Sequence, residues 1–232
     1  MRGLGQRAKE KLERALEDGP FGSVREVVQR SGLDRKSLRA LAEAGALDAM
    51  FADEPDLRRR RAALWKVLEE IRGEAGPLAP ARPPTRAAPV PAMSPAELTE
   101  ADYRMTGVSL NGHPMEHLRA LLAPNGVLSA REVERVRGGS RIAVAGLVIC
   151  RQRPGTAKGF VFLTLEDETG LVNIVVTPKR FERQALLLTT SPLLLVRGVL
   201  EVEGRVRNLK GEQFRELKAG AGEEWAEGHD FH

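Results

Sequence analysis

Two hydrophobic rhythms divide this chain. Over its first third, apolar residues recur every three or four positions, as on one side of a helix. Ser23-Val24-Arg25-Glu26 has the form of a capping box and opens a helix predicted to reach about Arg30. Gly32 permits a turn, and Asp34 is placed to cap the next helix, which sets Leu38, Leu41 and Ala42 on one side and stops at Gly45. After Asp53-Glu54-Pro55 a third helix repeats Leu57, Leu64, Leu68 and Ile71. Beyond residue 140 the rhythm changes to two, the mark of strands. Ile142, Val144 and Val148 alternate with Ala143, Ala145, Leu147 and Ile149; Lys158–Glu166 is a second strand, and Glu168-Thr169-Gly170 turns it into a third, Leu171–Thr177. A helix over Pro178–Leu188 follows, then a long strand Pro192–Glu203 broken at Gly198, a turn at Gly204, and a fifth strand over roughly Arg205–Leu209.

These patterns predict two kinds of domain. Arg30-Ser31-Gly32-Leu33-Asp34, a short connection between two small helices, reads as a helix-hairpin-helix, in which backbone amides can hold a phosphate. Gly3-Leu4-Gly5 followed by a helix over Gln6–Leu16 matches the second half of another such unit, so the chain is expected to begin inside a hairpin of something longer. Three strands, a helix and two strands are the order of the five-stranded oligonucleotide-binding (OB) barrel. Between the two regions, residues 77–95 hold seven of the fourteen prolines and read as a semi-rigid spacer. The expected class is α+β and multidomain: a helix-hairpin-helix region at 1–72, a proline-rich linker at 73–98, a helical or irregular connector at 99–139, an OB domain at 140–220 and an acidic tail at 221–232.

Charge adds a partner class. The net charge is only +4, but residues 129–220 carry 16 basic and 10 acidic side chains, whereas residues 1–76 carry 16 and 14. A local positive excess suits a polyanion. No apolar run approaches the roughly 20 residues of a membrane span, and the N-terminus has no apolar core of a signal peptide. A single cysteine, Cys150, cannot form an internal disulfide and fits a reducing cytoplasm.

The candidate chemistry is binding rather than catalysis. The loop Arg151-Gln-Arg153-Pro-Gly-Thr-Ala-Lys158 offers three cations where OB folds meet a nucleic-acid strand. Phe160 and Phe162 share one face of their strand, which is either the groove, where they would stack bases, or the barrel interior. Arg197, Arg205 and Arg207 could extend the basic track. Gly3, Gly5, Gly32 and Arg35 are the candidate phosphate contacts of the hairpins. The run Arg58–Arg61 reads as a solvated helix face. Glu166-Asp167-Glu168 sits at a strand end and does not read as a metal site. His113-Pro-Met-Glu-His117 lacks the zinc-protease spacing, and its Pro114 suggests a turn. No nucleophilic arrangement or phosphate-cradling loop is evident, so neither catalytic nor metal residues are expected.

Arg151–Lys158, Phe162-Leu-Thr-Leu-Glu-Asp-Glu-Thr-Gly170 and Val172-Asn-Ile174 resemble the OB-domain signature of bacterial error-prone DNA polymerases, C-family enzymes related to the replicative polymerase's alpha subunit. Thr106-Gly107 and His113-Pro114-Met115 resemble the segment that leads into that domain. Leu41-Ala-Glu-Ala-Gly-Ala46 and Arg60-Arg61-Ala-Ala-Leu-Trp65 resemble the tandem hairpin region, and His229-Asp-Phe-His232 resembles the tail. The resemblance implies the DNA-binding C-terminal part of an enzyme of damage-induced translesion synthesis and DNA repair. It implies Mg²⁺ only for a polymerase domain absent from this chain, so no cofactor here. Its implied partners are single-stranded template or primed duplex DNA, the remaining polymerase modules and other translesion proteins. The alternative is a stand-alone single-stranded-DNA-binding or adaptor protein of a repair complex.

Overall fold

The computed structural model describes residues 1–73 and 90–217 and divides the chain into two compact units, 1–111 and 112–232. The middle of the proline-rich stretch and the terminal acidic segment, including His229–His232, lie outside the described residues. No helix among the described residues is long and apolar enough to cross a membrane.

The first unit is helical. α1 (Gln6–Glu17) and α2 (Val24–Ser31) are followed by α3 (Arg35–Glu43) and the long α4 (Asp56–Gly73). Local chemistry sets their starts. Ser23 accepts the Glu26 amide at 3.3 Å, while the Glu26 carboxylate takes the Gly22 amide at 3.1 Å, one residue ahead of a true capping box. Asp34 accepts the Ser37 amide at 2.7 Å to open α3. Val24, Val27, Leu38, Leu41, Ala63 and Val67 bury the facing sides of α2, α3 and α4 in one core. α5 (Pro95–Thr106), with Ser94 and Glu97 in a full capping box, belongs to this unit. The sequence assigns most of α5 to a connector; a buried ion pair draws it to α4 instead. Arg60, expected on a solvated face, is 8% exposed and pairs with Asp102 of α5 at 2.5 Å and Asp48 at 3.2 Å. Asp102 also accepts Ser109 Oγ at 2.7 Å and Asn111 Nδ2 at 2.9 Å, so one carboxylate ties together α4, α5 and the loop after it.

The second unit opens with α6 (Pro114–Leu122), β1 (Val127–Leu128) and the single-turn α7 (Ala130–Val133). Pro114 begins a helix rather than making a turn: its missing amide costs nothing at the first helical position, and His113 Nδ1 accepts the Met115 amide. β2 (Arg141–Gln152), β3 (Val161–Asp167), β4 (Gly170–Val176), α8 (Pro178–Thr190), β5 (Leu193–Glu203) and β6 (Val206–Glu216) follow. The sheet runs β1-β2-β3-β4-β6-β5 and closes where β2 pairs with β5. This is a five-stranded OB barrel with β1 as a sixth strand. β6 runs to Glu216, well past the Leu209 expected from sequence, because it pairs with β5 along its length. Nor does Gly198 break β5. It marks a register shift where β5 and β6 cross so closely that a Cβ there would lie 2.1 Å from the Lys210 carbonyl oxygen.

Val144, Leu163, Leu165, Ile174, Leu194, Val196 and Leu209 fill the barrel, joined by Ala130 and Val133 of α7 and Leu188 of α8. A second cluster lies outside the barrel wall. There Met115 and Leu122 of α6 cover Ala143, Ala145, Leu193 and Leu195. Both faces of β2 and β5 are thus buried over part of their length, which leaves the outer face of β3, β4 and β6 as the barrel's open surface.

Candidate nucleic-acid interface

On β3 the odd positions Val161, Leu163 and Leu165 are buried, and the even positions Phe162, Thr164 and Glu166 point outward. Phe162 is 38% exposed, so its ring lies on the outer face of the barrel and not in the core. Directly opposed residues of paired strands share a face. Register therefore draws two rows across the sheet. Gln152, Phe162, Val175 and Lys210 form one, and Cys150, Thr164, Asn173 and Asn208 the other. Thr164 Oγ1 and Asn173 Oδ1 are 3.3 Å apart. At about 4.8 Å between strands, each row spans on the order of 14 Å, room for two or three nucleotides beside an aromatic platform. At the far end of the face, Leu171 (58% exposed) and Val206 (55%) continue the surface toward the β5–β6 turn.

Cations border this face at both ends. The loop from Arg153 to Phe160 leaves its lower edge, with Arg153 and Lys158 exposed. The Arg153 guanidinium lies over the Phe181 ring of α8, 5.1 Å from its centroid. Lys158 takes a left-handed conformation (φ 48°) and is the only non-glycine residue to do so among those described. Gly159 backs onto Pro178, which brings the loop beside the first turn of α8 and its exposed Lys179 and Arg180. Phe160 is half-buried just before β3. At the opposite end Arg205 is exposed in the turn after Gly204.

The remaining sequence candidates are placed elsewhere. Arg151 donates through Nε to the Leu188 carbonyl at 3.0 Å and through Nη2 to the Ser191 carbonyl, locking the C-terminal end of α8. Burial of that guanidinium lowers its pKa from the ordinary value. Arg207 donates to the Val133 and Val136 carbonyls at 3.2 and 2.8 Å, bracing the end of α7. Arg197 stands on the other wall of the barrel, between Ala143 of β2 and Gln213 of β6, in a hollow with Arg141 and Glu212. The structure thus groups Arg153, Lys158, Phe162 and Arg205 around one face, with Phe160 at its edge, and separates Arg151, Arg197 and Arg207 from it. Sequence reading missed Asn173, Asn208 and Lys210. The first falls within the motif that carries the resemblance; the other two lie on β6, whose pairing only the closed barrel reveals.

In the helical unit, Gly3 is left-handed (φ 84°) and Gly5 caps α1 without any side-chain bond, with no acid in the first turn. No acid of the helix's own first turn competes for the amides at that end, which suits an anion. The second hairpin differs. Gly32 is left-handed (φ 58°) and its carbonyl accepts Lys11 Nζ at 2.7 Å, but Asp34 already occupies the start of α3. Hydrogen bonds from Ser37 hold the Asp34 carboxyl below its ordinary value, so it stays ionised there. Arg35 follows it, exposed.

The acids before the β3–β4 turn are structural. Asp167 is 6% exposed and accepts the amides of Ala130 at 2.7 Å, Thr169 at 2.7 Å and Gly170 at 3.0 Å. Arg119 of α6 bridges Asp167 at 3.2 Å and Glu168 at 2.5 Å. Burial works against the charge on Arg119, but hydrogen bonding and attraction to Glu168 and Asp167 outweigh it and raise its pKa. No group of three or more His, Cys, Asp or Glu that could hold a metal occurs among the described residues.

A closed OB barrel with an exposed aromatic on its open face, following a hairpin-bearing helical unit in the chain, defines a nucleic-acid-binding protein class. Family comparisons agree. Residues 142–217 match the OB-fold nucleic acid binding domain and residues 1–61 the helix-hairpin-helix motif. The particular family follows from relatives named error-prone DNA polymerase. One from Anaeromyxobacter sp. (strain K) is 42% identical over 233 residues, covering 100% of this chain and 20% of its own length. One from Xanthomonas campestris pv. campestris (strain B100) is 39% identical over 232 residues, covering 99% and 20%. The chain belongs to the error-prone DNA polymerase family and corresponds to its C-terminal region, spanning about a fifth of the length of these relatives. Among solved structures, an asparaginyl-tRNA synthetase from Pyrococcus horikoshii is 21% identical over 38% of this chain and 22% of its own, with a TM-score of 0.34.

Proposed function

We propose that this chain is the DNA-holding part of an error-prone, translesion DNA polymerase, with the polymerase chemistry housed outside it. The observation that carries this reading is Phe162, an exposed ring on the open β3–β4–β6 face, with cations beyond both ends and amide side chains beside it. A template strand lies across that face. Its bases stack on Phe162, its phosphates meet Arg153 and Lys158, and Asn173 and Asn208 lie within reach of base edges. The first hairpin, with Gly3 and Gly5, holds a backbone phosphate through the start of α1. DNA, the remaining polymerase modules and other translesion proteins are its partners. Single-stranded DNA titrated against the full chain tests the barrel part. Phe162→Ala should weaken binding by about 1–3 kcal/mol while melting at the wild-type temperature. Its neighbour Leu163, 1% exposed, should behave in reverse, Leu163→Ala destabilising the barrel by about 2–5 kcal/mol. Unchanged affinity in folded Phe162→Ala would remove the face from the binding site.

A further inference from the structure

Two amides on the open face of the barrel differ in freedom. Asn173 is exposed on β4, opposite Thr164 of β3 on one side and Asn208 of β6 on the other. Thr164 Oγ1 and Asn173 Oδ1 lie 3.3 Å apart, and only the hydroxyl of that pair can donate. The bond holds Oδ1 towards β3 and turns Nδ2, which only donates, away from it. Asn208 makes no side-chain hydrogen bond with a described residue, so its amide is able to turn either way. Phe162 precedes Thr164 on the same side of β3, about 7 Å along the strand. A base stacked on that ring presents an edge to the amide pair.

The pair is thus a fixed donor beside an adaptable amide, on strands about 4.8 Å apart. That spacing is comparable to the width of a pyrimidine's Watson–Crick edge. Both cytosine and thymine carry the O2 carbonyl, an acceptor, next to N3 on that edge. Asn173 Nδ2 matches O2. Asn208 then turns its oxygen or its amino group to suit N3 and the exocyclic group of either base. A purine has no acceptor in the equivalent place: adenine presents a C–H there and guanine the N2 amino donor. We infer that this face selects a pyrimidine, with Asn173 as the specificity-determining residue and Thr164 as the residue that positions it. The selection rests on the single-strand path proposed above and deepens it, from holding a strand to reading one base in it.

The test titrates the full chain with oligo-dC, oligo-dT and oligo-dA of equal length at one salt concentration. Both pyrimidine strands should bind about fivefold tighter than oligo-dA, the scale of one net hydrogen bond. Asn173→Asp exchanges the donor for an acceptor of the same shape. Its added charge weakens all three strands alike, so the readout is the ratio of pyrimidine to purine affinity, which should fall to near one. Thr164→Val frees the Asn173 amide and should lower the ratio as well, whereas Thr164→Ser keeps the hydroxyl and should restore it. All three side chains face outward, so the variants should melt at the wild-type temperature. A ratio unchanged in Asn173→Asp assigns the preference to base stacking or strand stiffness and overturns the selection. Equal wild-type affinity for the three strands also overturns it. If that affinity still drops in Phe162→Ala, the strand path stands without base selection. A ratio that survives Thr164→Val overturns the positioning role of Thr164. No single-strand binding by the wild-type chain removes the path itself, and the selection with it.

Discussion

Arg60 in the helical unit and Arg151 and Arg207 in the barrel unit are used in opposite ways. In the helical unit, Arg60 is buried against Asp48 and Asp102, and its charge is consumed in holding α4 to α5. In the barrel, Arg151 and Arg207 dock on backbone carbonyls, which satisfies their donors without cancelling their charge. A residue count treats these arginines alike. The difference shows that a basic excess becomes a field only where its cations face carbonyls or solvent, and becomes scaffold where they face carboxylates.

The largest effect should come from breaking the buried pair. Asp102→Ala leaves Arg60 buried with one partner fewer and should cost about 3–5 kcal/mol, read as a lowered melting transition of the helical unit with that of the barrel unchanged. If both transitions stay in place, the ion pair is not what joins α5 to α4. Next in size, Arg151→Ala should cost about 1.5–3 kcal/mol, the range of hydrogen bonds made by charged donors. Its single-strand salt slope should stay near the wild-type value. Replacing Arg153 and Lys158 should do the converse, sparing stability and flattening that slope by about 1.4, at about 0.7 per contact. Equal slope losses in both variants would erase the distinction between brace and binding loop. The smallest effect is that of pH. Burial opposes the charge on Asp102, but hydrogen bonds from Asn111, Ser109 and Arg60 prevail and hold its pKa below the ordinary value. A depressed carboxyl contributes stability fully present above its unfolded pKa, near 3.9, and lost as pH falls through its folded one. The helical unit should therefore weaken below about pH 4, and Asp102→Asn should blunt that dependence. Asp48 acts in the opposite sense, because burial raises its pKa more than Arg60 lowers it.

Much of the fold was legible because it is written locally. Ser23, Asp34 and Gly45 mark helix ends through bonds spanning three or four residues, and the order of strands and the α8 helix follows from periodicity and turn residues. The candidate site was legible only in outline. Alternation told that Phe160 and Phe162 share a face but not which face, since a period of two is symmetric between inside and outside.

By itself, then, the sequence determined the two architectures, the helix caps and the basic loop. Tertiary structure alone decided which side of each strand meets water. On β2 the register shifts between Val148 and Cys150. Without that bulge, the alternation that buries Val144 and Val148 would turn Arg151 outward; with it, Arg151 stands opposite the buried Leu163 and reaches the end of α8. One extra residue in a ladder inverts every later side chain, and such a bulge is set by how the sheet closes on itself rather than by the residues at that point. Asp102 makes the same case in the helical unit: its role arises from pairing with Arg60, 42 residues away, beyond the reach of any local pattern.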